Sequence, residues 1–327
     1  MIDVSVVVVS YNVRELLGRC LRSLAAAAPG RTLEILVVDN GSSDGTVETV
    51  QREFPDVTLI ANAANRGFTA ANNQATAVAH GTTLLYLNPD TEVRPGALEA
   101  MLAHLEEDPH VGVVGPRLSF PDGRTQSSRR RFPTPLTALV ESTIVQRWWP
   151  ACPVLDWYYV MERSDEETQD VDWLYGACLL VRRDVIETVG AFDERFFMYS
   201  EEVDLCRRIR DRGWRVVYVP AARVVHYEGR SSEQDLARRA QNFHESKCRY
   251  VEKHFGPSVG RALRISLLAQ TSLDLAEEAL KLALGHRVDL RRERVRNLAQ
   301  VVAYQWHHLG GAAWPARSVA GGGEPCE

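Results

Sequence analysis

The chain has 327 residues, 45% of them hydrophobic and 25% charged, enough for one large α/β domain with an appendage or for two domains. A formal net charge of -5 argues against a general nucleic-acid binder, so no nucleic-acid partner is expected. Basic residues outnumber acidic ones only from Ser231 onward; the acidic excess lies before it.

The apolar run Val4–Val9 reads as a strand buried on both faces and leads into the polar turn Ser10-Tyr11-Asn12. A helix is predicted over Glu15–Ala27, stopped by Pro29-Gly30. Strand Glu34–Val38 follows and ends in Asp39-Asn40-Gly41-Ser42-Ser43-Asp44-Gly45-Thr46, with Asp44 or Thr46 able to cap a helix over Val47–Glu53. A short strand near Val57–Ile60, a helix over Phe68–Ala79 and a strand Leu84–Leu87 come next, the last ending in Asn88-Pro89-Asp90. Pro95 suits the first turn of a helix over Gly96–Glu107, and Val111–Val114 is a strand. This alternation predicts a parallel sheet covered by helices, and in such sheets ligands bind at the carboxyl ends of the strands.

Residues 117–172 are rich in Pro, Arg, Ser and Trp, and read as loops with a mobile helix over the site. A strand Trp173–Val181, a helix Arg183–Val189, a helix Glu202–Arg212 closed by Gly213, and a strand Arg215–Val219 ending at Pro220 complete this part. Two or three helices are expected from Ser232 to about Gly310, and the Gly/Ala/Pro-rich end is expected to be disordered. The domain boundaries follow: 1–230, 231–310 and a tail of 311–327.

The six cysteines form no CxxC pair and have no histidine at zinc spacing, which suits free thiols in a reducing compartment. No leader pattern opens the sequence, and no window offers the ~18–20 uninterrupted apolar residues of a membrane span. The best candidate, Leu263–Leu284, is interrupted by Asp274, Glu277, Glu278 and Lys281. A cytoplasmic location is expected, or a peripheral one on the cytoplasmic face of the plasma membrane.

Four features carry candidate chemistry. Asp90 stands just past a buried strand end, where a carboxylate can hold a hard divalent cation or merely cap a turn. His226 can supply a further metal ligand or a structural hydrogen bond. Glu201 and Glu202 enter a helix behind the aromatic run Phe196–Tyr199; burial there would raise a carboxyl pKa toward that of a general base, while the helix dipole alone would also favour them. Gly67, in Asn65-Arg66-Gly67-Phe68, permits close backbone approach at a helix N-terminus. Dinucleotide, P-loop, nucleophile-elbow and zincin motifs are absent.

Taken in order, Val8–Asn12, Val37–Thr46, Asn65–Phe68, Leu87–Asp90, Gly176–Arg183, Gly190–Arg208 and His226–Ser232 resemble the family 2 glycosyltransferases. Within that family they are most similar to rhamnosyltransferases that use dTDP-rhamnose. The resemblance covers about residues 3–232. It implies the GT-A fold, a mostly parallel α/β sheet flanked by helices, and inverting transfer from a nucleotide-diphosphate sugar. It implies that Ser10, Tyr11, Asn12 and Asp39 hold the nucleoside, and that Asn65, Gly67, Phe68, Asn73 and Asn88 line the donor pocket. Trp173 and Gly176 are expected to shape the sugar site, and Arg129 to contact phosphate. Asp90 matches the last acid of the family's DxD motif, whose first position is Asn88 here, and His226 matches its metal-binding histidine. Mg2+ or Mn2+ is the implied cofactor. The base is Glu202 or Glu201, since Glu202 stands where the family usually carries aspartate. The implied acceptor is a saccharide or lipid-linked saccharide, polyprenyl-diphosphate-linked, for cell-wall or surface polysaccharide; a homo-oligomer is left open. In the tail, Arg291, Arg292, Arg294 and Arg296 with Val295, Leu298, Val302 and Trp306 suit a helix lying on an anionic membrane or packed on the protein.

Overall fold

In this computed structural model, which describes residues 2–150, 152–227 and 235–309, the apolar runs form the sheet the sequence predicts. β1 (Val4–Ser10) is followed by α1 (Arg14–Leu24), β2 (Leu33–Asp39), α2 (Thr46–Glu53), β3 (Thr58–Ala61), α3 (Phe68–Val78) and β4 (Thr83–Leu87). Then come β5 (Thr91–Val93), α4 (Ala97–Glu107), β6 (Val111–Ser119), β7 (Thr125–Gln126) and β8 (Arg129–Arg130). Three short helices, α5 (Pro135–Val140), α6 (Ile144–Trp148) and α7 (Pro153–Tyr158), precede β9 (Gln169–Val171) and β10 (Trp173–Leu174). β11 (Cys178–Arg182), α8 (Arg183–Val189), α9 (Glu201–Asp211) and β12 (Arg215–His226) lead to α10 (Leu236–Phe255), α11 (Pro257–Ala283) and α12 (Val288–His307).

The main sheet runs β3-β2-β1-β4-β11-β6-β12-β5. β1 to β4 are mutually parallel, as are β6 and β12, while β11 lies antiparallel between β4 and β6. Alternate residues of one strand face opposite layers. Val7, Val9, Leu36 and Val38 pack with Ala71 and Ala75 of α3; Val4, Val6, Val8 and Val37 pack with Leu17 and Leu21 of α1 and Leu98 and Met101 of α4.

Three expectations change. The Trp173–Val181 strand is broken: β10 pairs with β8, Tyr175 N–H donates to Ser128 O, and only from Cys178 does the chain join the main sheet. β12 does not stop at Pro220 but continues to His226, with a register shift between Val219 and Arg223. A proline lacks the ladder donor and is tolerated at such an irregularity. Residues 117–172 hold short strands and helices; α5 is fixed by a capping box between Thr134 and Thr137. Residues 228–234 and 310–327 lie outside the described residues, and with them the expected 230/231 boundary, most of the His226–Ser232 motif and the expected tail.

α10 packs on α9 through charge. Asp204 is fully buried and takes Arg208 Nε at 2.9 Å, Lys253 Nζ at 2.6 Å and His254 Nε2 at 3.0 Å. Burial alone would raise this carboxyl; the bonds from His254 and Lys253, with Arg208 nearby, outweigh it and hold it below its ordinary range. The linkage sign follows: the stabilisation is complete above the ordinary aspartate range and is lost as pH falls through the depressed value. Asp204→Ala, which strands these cations, is expected to lower stability by about 3–5 kcal/mol, measured by urea denaturation at neutral pH. The difference from the parent should shrink in acid.

Candidate active site

The carboxyl ends of β1, β2 and β4 open on a cavity of about 400 Å³. Tyr11, Asn65, Phe68, Asn88 and Asp90 line it from the sheet side. Gly176, Glu201, Glu202 and His226 complete the group of sequence-predicted residues in its wall. The break between β10 and β11 is what brings Gly176 there.

Strand pairing sets Asp90 beside His226. β5 runs antiparallel to the end of β12 with Thr91 opposite His226, and Tyr227 N–H donates to Asp90 O at 2.9 Å. Asp90 Oδ1 and His226 Nε2 are 3.3 Å apart, both side chains buried. Gln126 Oε1 lies 2.9 Å from His226 Nδ1; a carbonyl oxygen only accepts, so Nδ1 carries the proton. That leaves Nε2 facing a carboxylate oxygen, an arrangement that calls for a cation between them, a proton or a metal ion. An oxygen and an imidazole nitrogen suit Mg2+ or Mn2+. Among the described residues no group of three acidic, histidine or cysteine side chains forms a metal cage, so further ligands would be substrate oxygens and water. Gln126 carried no signal in the sequence, being one polar residue in a polar loop.

Glu201 and Glu202 form the first turn of α9, both buried, each with one carboxylate oxygen lacking a partner. Burial raises both carboxyls. For Glu201 the neighbouring Glu202 charge adds to it, and the rise is large. For Glu202 the backbone amides of Glu202, Gly176 and Val203 pull the other way. The amide donors thus favour the anion on Glu202, while the adjacent charge disfavours it on Glu201.

The turn before α9 is strained: Tyr199 and Ser200 have φ of 72° and 64°. It is held from both sides. Ser246 Oγ of α10 donates to Met198 O at 2.7 Å, Phe68 N–H donates to Phe197 O at 2.8 Å, and Thr69 Oγ1 donates to Phe196 O. Gly67 has φ +93°, and a Cβ there would fall 2.7 Å from the Phe197 ring, so only glycine fits. Asn40, unmarked among the sequence candidates, ties the same loop together: its Nδ2 donates to Asn65 Oδ1 and Gly67 O, and its Oδ1 accepts Arg66 N–H.

Other predicted residues lie behind the wall. Ser10 and Asp39 are register partners, both buried, and Ser10 Oγ and Asp39 Oδ1 have no partner. Asp39 Oδ2 accepts Gly41 and Ser42 N–H. Asn12 Oδ1 accepts Ser43 N–H, joining the turns after β1 and β2. Asn73 is not brought to the cavity: its amide donates to Phe192 O and Glu194 and accepts Phe192 N–H. Trp173 is buried, with Nε1 donating to Arg131 O. Arg129 is neither at the cavity nor in a solvated loop. It is buried, with Nε 2.8 Å from Asp165 and Nη1 3.0 Å from Gln169, while Arg131 pairs with Glu162. Beyond Asn40 and Gln126, the sequence left unmarked the start of α10, where the N-cap Asp235 with Arg238, Arg239 and Asn242 lines the cavity.

The sequence matches the family described as glycosyl transferase family 2 over residues 5–190, more than half of the chain. The chain belongs to glycosyl transferase family 2. The N-acetylglucosaminyl-diphospho-decaprenol L-rhamnosyltransferase of Mycobacterium tuberculosis is 34% identical over 309 residues, 90% of this chain and 97% of that protein. Among solved structures, a mannosyltransferase from Pyrobaculum calidifontis in complex with GDP-Man and Mn2+ has a TM-score of 0.55 at 20% identity, covering 94% of this chain and 87% of its own. GalNAc-T7 with UDP, GalNAc and Mn2+ has a TM-score of 0.54 at 18% identity, covering 69% of this chain and 43% of its own. These likenesses bear out the expected GT-A fold.

This family 2 glycosyltransferase carries two buried carboxyls with different environments, and they separate by experiment. Glu202→Gln is expected to lower kcat by about 10²–10⁴-fold, and Glu201→Gln by much less, in a transfer assay. The raised carboxyls bind protons in the folded state that the unfolded chain has released, so they cost stability as pH rises above the ordinary glutamate range. Glu201→Gln should therefore raise the melting temperature at neutral pH and flatten its decline with pH.

Proposed function

We propose that this glycosyltransferase moves rhamnose from dTDP-rhamnose, with inversion, onto a hydroxyl of a polyprenyl-diphosphate-linked saccharide, with Mg2+ or Mn2+ at Asp90 and His226. One observation carries the reading. A single cavity holds the Asp90–His226 pair together with the buried, partly unpartnered carboxylates of Glu201 and Glu202. The name of the mycobacterial relative, at nearly full coverage, supports the sugar and the acceptor. The Mn2+ present in the two solved structures supports a divalent metal.

In this mechanism Tyr11 meets the nucleoside at the cavity wall, while Ser10 and Asp39, buried behind it, brace the turns after β1 and β2, Asp39 Oδ2 accepting Gly41 and Ser42 N–H. Asn65 and Phe68 flank the donor, and Asn40 and Gly67 keep that loop closed on Phe197. Asp90 Oδ1 and His226 Nε2 would hold the metal, which would supply positive charge to a leaving diphosphate. Gln126 fixes the imidazole tautomer so that Nε2 remains a ligand atom. Glu202 takes the proton from the acceptor hydroxyl as that oxygen attacks the anomeric carbon, and the diphosphate leaves from the opposite face. One base suffices because no glycosyl-enzyme intermediate forms, unlike the two-carboxylate scheme of retaining hydrolases.

Donor identity is read from thermal stability, since a ligand that binds only the folded state stabilises it by about 2.7 kcal/mol at 100 times its Kd. With Mn2+ present, dTDP-rhamnose is expected to raise the melting temperature more than UDP-glucose or GDP-mannose. A larger shift with either of those would sink the donor assignment.

The same reading includes peripheral membrane contact. Among the described residues no helix is long and apolar enough to cross a membrane. Leu273, Leu280 and Leu284 are exposed and recur at helical spacing, giving α11 an apolar outer stripe. α6, which carries Trp148 at 81% exposure, is tied to α11 by Arg147 Nη2 at 2.6 Å from Asp274. α12 contributes less than the sequence suggests. Arg291 is buried against Glu278, and Val301 packs inward, while Arg292, Arg294 and Arg296 stay exposed. Co-sedimentation with phosphatidylglycerol vesicles should fall several-fold for Leu280→Asp combined with Leu284→Asp. Unchanged sedimentation would remove this surface from the proposal.

A further inference from the structure

The cavity has a wall that neither the nucleotide ends of the sheet nor the metal pair accounts for. Asp235, Arg238, Arg239 and Asn242 fall at i, i+3, i+4 and i+7 of the α10 start, so they share one helix face, and all four line the cavity. Asp235 is the N-cap; its Oδ1 accepts Arg238 N–H at 2.9 Å. The Arg238 guanidinium lies 5.6 Å from the Phe197 ring centre. Among the described residues neither arginine is seen in an ion pair, although Glu201 and Glu202 line the same cavity. Asn242 is only 6% exposed, and its Oδ1 has no partner. A buried amide oxygen without a donor, on the same helix face as two arginines that line the cavity, describes a ligand with an anion at one end and a hydroxyl or amide N–H near it.

We propose that Arg238 and Arg239 bind the diphosphate of the acceptor and that Asn242 Oδ1 accepts a hydrogen bond from the acceptor's first sugar; this rests on the transferase reading above. A diphosphate enters the reaction from two sources, donor and acceptor, and position favours the second. In an inverting displacement the acceptor oxygen and the leaving diphosphate lie on opposite faces of the anomeric carbon, so the acceptor occupies the side of the base. α10 is bound to the segment that carries the bases. Ser246 holds Met198, Phe243 packs edge-on against Tyr199, and Lys253 and His254 hold Asp204. The Asp90–His226 pair is instead fixed by β5 and β12. Guanidinium forks match phosphate oxygens in pairs, and the start of a long helix adds positive potential.

The test compares a short-chain prenyl-diphospho-saccharide with the same saccharide on a neutral alkyl aglycone, at saturating donor, in the full-length protein. Wild type is expected to prefer the diphosphate acceptor by at least about tenfold in kcat/KM. Arg238→Ala combined with Arg239→Ala should bring the two acceptors close to parity, through the acceptor KM. Arg238→Lys combined with Arg239→Lys should restore part of the preference. Each protein is its own control, so a less stable variant still reports the ratio. Equal use of both acceptors by wild type overturns the proposal, as does a variant that keeps the preference. A loss expressed as a higher donor KM assigns the arginines to the donor and overturns it too. Transfer from dTDP-rhamnose with no acceptor preference sinks this inference alone; no transfer from any nucleotide-sugar sinks the reading beneath it as well.

Discussion

The antiparallel pairing of three residues of β5 with the last three of β12 is the constraint on which the site depends. It sets Thr91 opposite His226, and so brings Asp90 and an imidazole to 3.3 Å, both buried in the cavity wall. Neither residue has to be held by its own flexible loop. The backbone ladder fixes both ends, and Gln126 fixes the ring. With the tautomer set, two electron-rich atoms face each other, and the arrangement is satisfied only by a positive charge.

The opposite wall is governed by the cost of burying negative charge. Two adjacent carboxyls in one helical turn cannot both ionise cheaply, so their environments diverge, with amide donors grouped on Glu202. The helix that carries them begins after two residues in a left-handed conformation, a state that needs external support. Support comes from Gly67 and Phe68 on one side and from α10 on the other. α10 therefore braces the segment that carries Glu201 and Glu202, through Asp204 and Met198.

The sheet was legible because uninterrupted Val and Ile runs have few alternatives to a strand buried on both faces, and Asp39 and Asp90 follow directly from where those runs stop. Errors arose where long-range pairing overrides local pattern. Pro220 reads as a strand end, yet an irregularity absorbs it and β12 continues to His226. Trp173–Val181 reads as one strand, yet partners on two different sheets pull it apart at Gly176. Arg129, expected to contact phosphate, is instead held by Asp165, and Arg131 by Glu162; these partners lie far along the chain, and no spacing rule links them. Asn40 and Gln126 act by position alone, and amides in polar loops carry no periodic signal. The face of α10 that meets the cavity is a polar stripe at helical spacing, visible in principle, but only the docking of α10 on α9 distinguishes it from a solvent-facing stripe.

The family match stops at residue 190, and the glutamates, His226 and all of α10 lie beyond it. The matched stretch supplies strand ends and loops of the cavity wall; the rest supplies Glu201, Glu202, His226 and the α10 face. The cavity is thus assembled from both stretches, so a fragment ending at residue 190 would lack the wall that carries the two buried carboxyls.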